Sequence, residues 1–233
     1  MSVENLEKKE VGAWVKDDYR NAKIFKKYNI DFCCGGNKPL DTVCETKGLS
    51  LDKILSELQI ESSQGGAQSI DYKSWPLDLL ATYIERTHHV FVRENIPAIQ
   101  GFLDKLVKVH GSRHPELSDI RSLFLEISEE LLQHMEKEEE LLFPEIKKAS
   151  DIYAVFEERK SKIADLIAVM EAEHENAGDI FRQISQLTSN YTPPADACTT
   201  YKVTYKMLQE FEDNLHLHVH LENNILFPAT QKN

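Results

Sequence analysis

Apolar residues recur at intervals of three and four along most of the chain, and four long stretches keep this helical period. The first begins near Trp75-Pro76, where proline suits an opening helical turn, and runs to about His110-Gly111, with Pro97 as a candidate kink. The second runs from near Pro115 to about Ala149, the third over roughly 154–189, and the fourth from about 198 to 227. The breaks between them are short and rich in Gly, Pro, Ser and Asn. Long helices with short connections pack antiparallel, so the pattern predicts an all-α fold, an up-down-up-down four-helix bundle. Little period-2 alternation competes with it. Upstream, residues 61–69 read ESSQGGAQS, a small polar stretch of linker character. Before it, VGAWVKDD, YRNAKIFKKY and LSLDKILSELQ read as short helices, with IDFCCGGNKPLDTVC as a loop around its glycines. The expected organisation is a small helical N-terminal domain (1–60), a linker (61–72) and the bundle (73–233).

The apolar seams are interrupted by groups that do not belong in a core. On the second helix Ile120, Phe124, Ile127, Leu131, His134, Glu138 and Leu141 share one stripe. On the third the stripe is Ile163, Ile167, Met170, His174, Ala177, Phe181 and Ile184. On the fourth it is Leu208, Phe211, Leu215, His218, Glu222 and Ile225. The first helix is ambiguous. Leu77, Leu80, Ile84 and His88 fall on one stripe, and His89, Val92, Ile96, Ile99, Leu103 and Leu106 on another, so periodicity alone does not choose between His88 and His89.

A single seam histidine is most often a hydrogen-bonded core residue. Two buried carboxylates at one depth are different, because each needs a partner and the two repel. A pair of cations neutralises both and uses the imidazole lone pairs. The sequence also repeats: HMEKEEELLFP from His134 and HVHLENNILFP from His218 both fit H-x-x-x-E-x-x-x-L-F-P. In an up-down bundle the second and fourth helices run parallel, so the two pairs can face each other. The i, i+4 spacing puts His and Glu on one face, roughly 6 Å apart along the axis. An imidazole can then bind one metal while the carboxylate bridges to the next. Nitrogen and oxygen donors without thiolate suit iron or manganese better than structural zinc. The set leaves coordination positions for a small molecule such as oxygen or nitric oxide. His216 and His220 lack a glutamate four residues on and read as surface or supporting groups. Glu136, Glu139 and Glu140 read as a solvated face, and Glu173 and Glu175, like them, as candidates for an ion path.

Composition narrows the function classes. The net charge of −12 without a basic run argues against nucleic acid as a partner. No stretch approaches a membrane span, and MSVENLEKKE has no apolar core of a secretion signal. The four cysteines, Cys33, Cys34, Cys44 and Cys198, do not form a disulfide framework, and a cytoplasmic location is expected. Cys33 and Cys34 sit beside Gly35 and Gly36, which would let a partner or second metal approach the backbone. The pair reads equally as an inert core pair or as a redox or iron-handling site.

Together HMEKEEELLFP, MEAEHENAG, TPPADACTT, HVHLENNILFP and the N-terminal YNIDFCCGGNKPL resemble the haemerythrin-like bundles, and more closely the Repair of Iron Centres proteins of the YtfE/ScdA type, over nearly the whole chain. In that family the first ligand histidine stands eight residues before a proline, so Pro97 favours His89. The resemblance implies a ligand set of His89, His134, Glu138, His174, His218 and Glu222 holding two non-haem iron ions, with the glutamates and an oxo or hydroxo group as bridges. It favours a functional role for Cys33-Cys34. It also implies repair of iron–sulfur clusters damaged by nitrosative or oxidative stress, by donation of iron, with damaged iron–sulfur proteins as clients. A reductase of nitric oxide or peroxide, or a sensor or carrier of oxygen or nitric oxide, remains an alternative. The oligomeric state stays open, a homodimer among the options.

Overall fold

The computed structural model describes residues 6–63, 70–149 and 157–232. Half of the expected linker, 64–69, lies outside the described residues, and 61–63 end a helix. Among the described residues the structure is helical, with one isolated β-bridge, Glu10 to Pro39, and no strand. None of the described helices is long and apolar enough to cross a membrane.

By packing the chain divides into two compact units. The first comprises residues 1–80 and 219–233, the second 81–218. In the first lie α1 (Val11–Asp17), α2 (Ala22–Lys27), α3 (Leu40–Lys47) and α4 (Leu51–Ser63). Val11, Phe25, Leu40, Ile54 and Leu58 are fully buried and form its core. The α3 helix ends at Gly48, whose φ of +64° makes a left-handed cap that L-residues rarely adopt.

Three of the four long helices carry a π-helical stretch. Helix α5 runs Leu77–Tyr83, turns π-helical over Ile84–His89, and continues as α-helix over Val90–His110 with Pro97 inside it. Helix α6 runs Glu116–Lys137, is π-helical over Glu138–Leu142, and ends at Ala149. Helix α7 (Glu157–Leu187) has no such stretch. Helix α8 runs Thr199–Leu221, is π-helical over Glu222–Leu226, and closes with Phe227–Lys232. A π-turn adds one residue and shifts the helix face from there on. After Glu138 it is therefore Leu142 that is buried, whereas Leu141, expected on the seam, is 45% exposed. In α5 a shift of this kind over Ile84–His89 lets both stripes point inward: Leu80, Ile84 and His88 of one, and His89, Val92 and Ile96 of the other, are all buried.

Within the second unit Phe211 of α8 centres the core. Its ring meets Phe124 of α6 edge-on at 5.4 Å and stacks on Phe181 of α7 at 5.7 Å, with Phe91 of α5 at 6.1 Å. The four helices thus share one apolar layer, and the histidines lie beyond it along the seams.

Candidate metal centre

Glu138 opens the π-turn of α6 and is fully buried. Its Oε2 lies 3.3 Å from His89 Nε2, 3.4 Å from His134 Nε2 and 4.0 Å from His218 Nε2. The imidazoles form two pairs around it. His89 Nε2 and His218 Nε2 are 3.2 Å apart, and His134 Nε2 and His174 Nε2 are 3.0 Å apart. His89, Glu138 and His218 therefore offer donor atoms within 4.8 Å of one another, and so do His134, Glu138 and His174. Glu138 belongs to both groups, which is the arrangement of a bridging carboxylate.

The outer nitrogens settle the tautomers. His89 Nδ1 lies 2.7 Å from Glu139 Oε1, and His134 Nδ1 lies 2.8 Å from Glu173 Oε2. A carboxylate only accepts, so each Nδ1 carries the proton and each Nε2 turns a lone pair inward. The facing Nε2 atoms, 3.0–3.2 Å apart beside a buried carboxylate, need a proton or a cation between them. A cation in each group meets all these demands, and the donor chemistry of three elements suits it. Glu139 is in turn gripped by Arg93 through two contacts of 2.8 and 3.0 Å, and Glu173 is paired with Lys137. Burial pushes the Glu139 carboxyl up, but the bonds from Arg93 and His89 outweigh it and hold it below the usual range. The bond from His134, with Lys137 behind it, draws Glu173 down to about 2. Sequence periodicity had placed Glu139 on a solvated face. Glu139 lies one turn beyond the fully buried Met135, on the side of α6 that meets His89.

The adjacent histidines of α5 separate into two roles. His89 faces the carboxylate, while His88 turns its Nδ1 to Asn214 Oδ1 at 3.1 Å and stacks on the His218 ring at 5.6 Å. Between α6 and α7 a cleft of about 580 Å³ reaches His134 and His174, with Lys137 and Glu173 on its wall.

Residues 80–230 match the hemerythrin HHE cation binding domain, and residues 7–61 match a domain of unknown function, the ScdA N-terminal type. The chain belongs to the hemerythrin HHE family, in the branch with a ScdA-type N-terminal domain. Among its relatives are the iron–sulfur cluster repair protein ScdA of Staphylococcus epidermidis, 34% identical over 95% of this chain and 98% of that protein. A probable iron–sulfur cluster repair protein of Haemophilus influenzae is 39% identical over 88% of this chain and 89% of its own length. The repair protein YtfE of an Enterobacter species is 37% identical over 90% of each.

Two expected site groups lie in the first unit. Glu222 is fully buried and follows His218 by four residues in a helix that continues without a break. Cys33 is buried and Cys34 half-buried, their sulfurs 3.9 Å apart and unbridged. Asp31 Oδ1 accepts from both backbone amides, at 3.0 and 3.1 Å, and from Cys33 Sγ at 3.3 Å. The Cys34 contact and burial together push the Cys33 thiol well above its ordinary value. The loop is held from behind by Asn224, whose Nδ2 donates to the carbonyls of Phe32 and Cys33 at 3.4 and 3.3 Å. His220, read from sequence as a surface or supporting group, is buried beside Phe32, Tyr19 and Asn224, and burial lowers its pKa to about 4.

Proposed function

We propose that this protein repairs iron–sulfur clusters damaged by nitrosative or oxidative stress, using iron held by His89, His134, Glu138, His174, His218 and Glu222. The observation that carries the reading is Glu138 standing between two histidine pairs, four Nε2 atoms turned toward one buried carboxylate side. Relatives named as repair proteins at 34–39% identity over most of both chains supply the function. Glu222 enters as the second bridging carboxylate, supported by its burial and by its H-x-x-x-E register, which repeats that of His134 and Glu138.

Two iron ions, joined also by an oxo or hydroxo group, would supply an exchangeable store of ferrous or ferric iron. The chain's own groups do the rest. Glu139 and Glu173 keep the Nδ1 protons outside, so His89 and His134 present only lone pairs inward. Apolar neighbours such as Phe143, whose ring stacks on His89 at 5.7 Å, keep bulk water off that side. Cys33 and Cys34 are proposed as an iron-handling or redox pair, supported by the thiol–thiol contact beside Asp31. Four unbridged cysteines support a cytoplasmic setting. The proposed division is an N-terminal domain at 1–60, a linker at 61–72 and a bundle at 73–233, close to the two matched spans.

The test is to load the protein with iron and mix it with an iron–sulfur enzyme damaged by nitric oxide. Activity recovery and iron loss from the bundle should rise together. Recovery with no loss of iron would refute donation. Turnover of nitric oxide with an added reductant, and no repair, would favour the reductase reading instead.

A further inference from the structure

We infer that Cys198 is a site of reversible mixed-disulfide formation with low-molecular-weight disulfides, and that His110 is the base that takes its thiol proton. The site is independent of the iron centre. His110 closes the long α-helical part of α5, about six turns and about 30 Å along the helix from His89.

Two helix ends bring the pair together. The α5 helix ends on His110, and Cys198 stands immediately before Thr199, the first residue of α8. The Cys198 carbonyl accepts from the Lys202 N–H at 3.1 Å, as a helix-capping residue does. Cys198 is exposed, whereas His110 is only 6% exposed, and His110 Nε2 lies 3.3 Å from Cys198 Sγ. The segment before Cys198 is clamped to the turn after α5. Asp196 meets His114 Nε2 at 3.1 Å and Arg113 at 3.2 Å. His114 is held in turn by Glu116 at 3.2 Å, and the Tyr201 ring meets His110 edge-on at 5.7 Å.

A histidine buried only for packing satisfies both ring nitrogens. His110 Nδ1 is buried and has no hydrogen-bond partner among the described residues, and Nε2 is aimed at the sulfur. A thiol in contact with an imidazole is the arrangement of an activated nucleophile. The first turn of α8 adds backbone N–H groups beside the charge that develops on sulfur. Cys33, Cys34 and Cys44 all belong to the first unit, so Cys198 has no cysteine of its own unit with which to close a disulfide. A small disulfide, RSSR, brings the second sulfur. The Cys198 proton passes to His110 Nε2, the Cys198 sulfur attacks one sulfur of RSSR, and the S–S bond of the reagent breaks. The leaving thiolate takes the proton from His110 and departs as RSH. Cys198 is oxidised to the mixed disulfide and the reagent is reduced to one thiol. Exchange with excess thiol reverses the step, and the cap shields the sulfur from irreversible oxidation.

The test incubates the full, iron-loaded chain anaerobically with glutathione disulfide at neutral pH, quenches with acid and reads the mixed disulfide at each cysteine by peptide mass mapping. A free thiol is only a few per cent ionised at neutral pH, so a base in contact with it is worth roughly tenfold in rate. Cys198 in the folded chain should therefore react about tenfold faster than Cys198 in the same chain unfolded in urea. His110→Gln, which keeps a polar side chain and removes the base, should bring the folded rate down to the unfolded one. Asp196→Ala, at an exposed position, releases the clamp and should slow the reaction in the same direction. Excess small thiol should remove the label. Equal rates in folded and unfolded wild type, or wild-type rates in both variants, would overturn the inference. The wild-type comparison decides by itself even where His110→Gln does not fold.

Discussion

The two glycines after the cysteine pair should respond unequally to the same methyl group. A Cβ on Gly36 would stand 2.5 Å from the Phe32 carbonyl oxygen, 3.0 Å from Asn224 Oδ1 and 3.1 Å from the Gly12 Cα. Two of those neighbours are backbone, so the loop must move, and the 2.7 Å bond from Gly12 N–H to the Gly36 carbonyl is strained or lost. Overpacking of this kind costs about 1–3 kcal/mol and the bond about 1 kcal/mol more, giving about 3 kcal/mol for Gly36→Ala. The three atoms nearest a Cβ on Gly35 all belong to Asp31 at 3.5 Å, ordinary contact, and its φ is not left-handed. Gly35→Ala should therefore fall within about 0.5 kcal/mol of wild type. Both tryptophans, Trp14 and Trp75, lie in the unit that holds this loop, so fluorescence-detected urea unfolding of metal-free protein reads the right region. With an m-value of about 1.5 kcal/mol/M the Gly36→Ala midpoint should drop by about 2 M. Equal midpoints for the two variants would refute the reasoning, as would Gly35→Ala being the more damaging.

Other outcomes follow from the same contacts. His89→Asn should halve the iron bound, whereas His88→Asn should leave the stoichiometry unchanged, because only His89 faces Glu138; elemental analysis decides. Brief alkylation of native protein at mildly alkaline pH should label Cys34 and Cys198 before Cys33 and Cys44, since the latter two are buried and their thiols are pushed up; peptide mass mapping reads the order. Phe211→Ala removes the ring shared by Phe91, Phe124 and Phe181 and should cost about 3–5 kcal/mol in unfolding followed by circular dichroism.

The helices and the inward histidines were legible in the sequence because both follow from one period. Every α7 seam residue named from periodicity is buried, from Ile163 to Ile184. What periodicity missed lies at the π-turns. The two stripes of α5 that left His88 and His89 undecided are the trace of one inserted residue, and that phase jump was the available signal. A separate insertion in α6 exchanged Leu141 for Leu142. Extra residues of this kind occur often at functional sites. Glu173 was visible only as a neighbour of His174. Its bond to His134 crosses from one helix to another, and no spacing within one helix reports it. Gly36 was read as room for an incoming group, but Gly12 and Asn224 already fill that room.

The decisive measurement is metal content with X-ray absorption at the iron edge, on wild type and on the Glu138→Ala, Glu222→Ala double variant. Wild type should hold two iron ions per chain with nitrogen and oxygen scatterers only, and the double variant should hold neither. Wild-type protein that takes up no iron or manganese, or iron bound through sulfur, would contradict a centre built on Glu138 and its histidines.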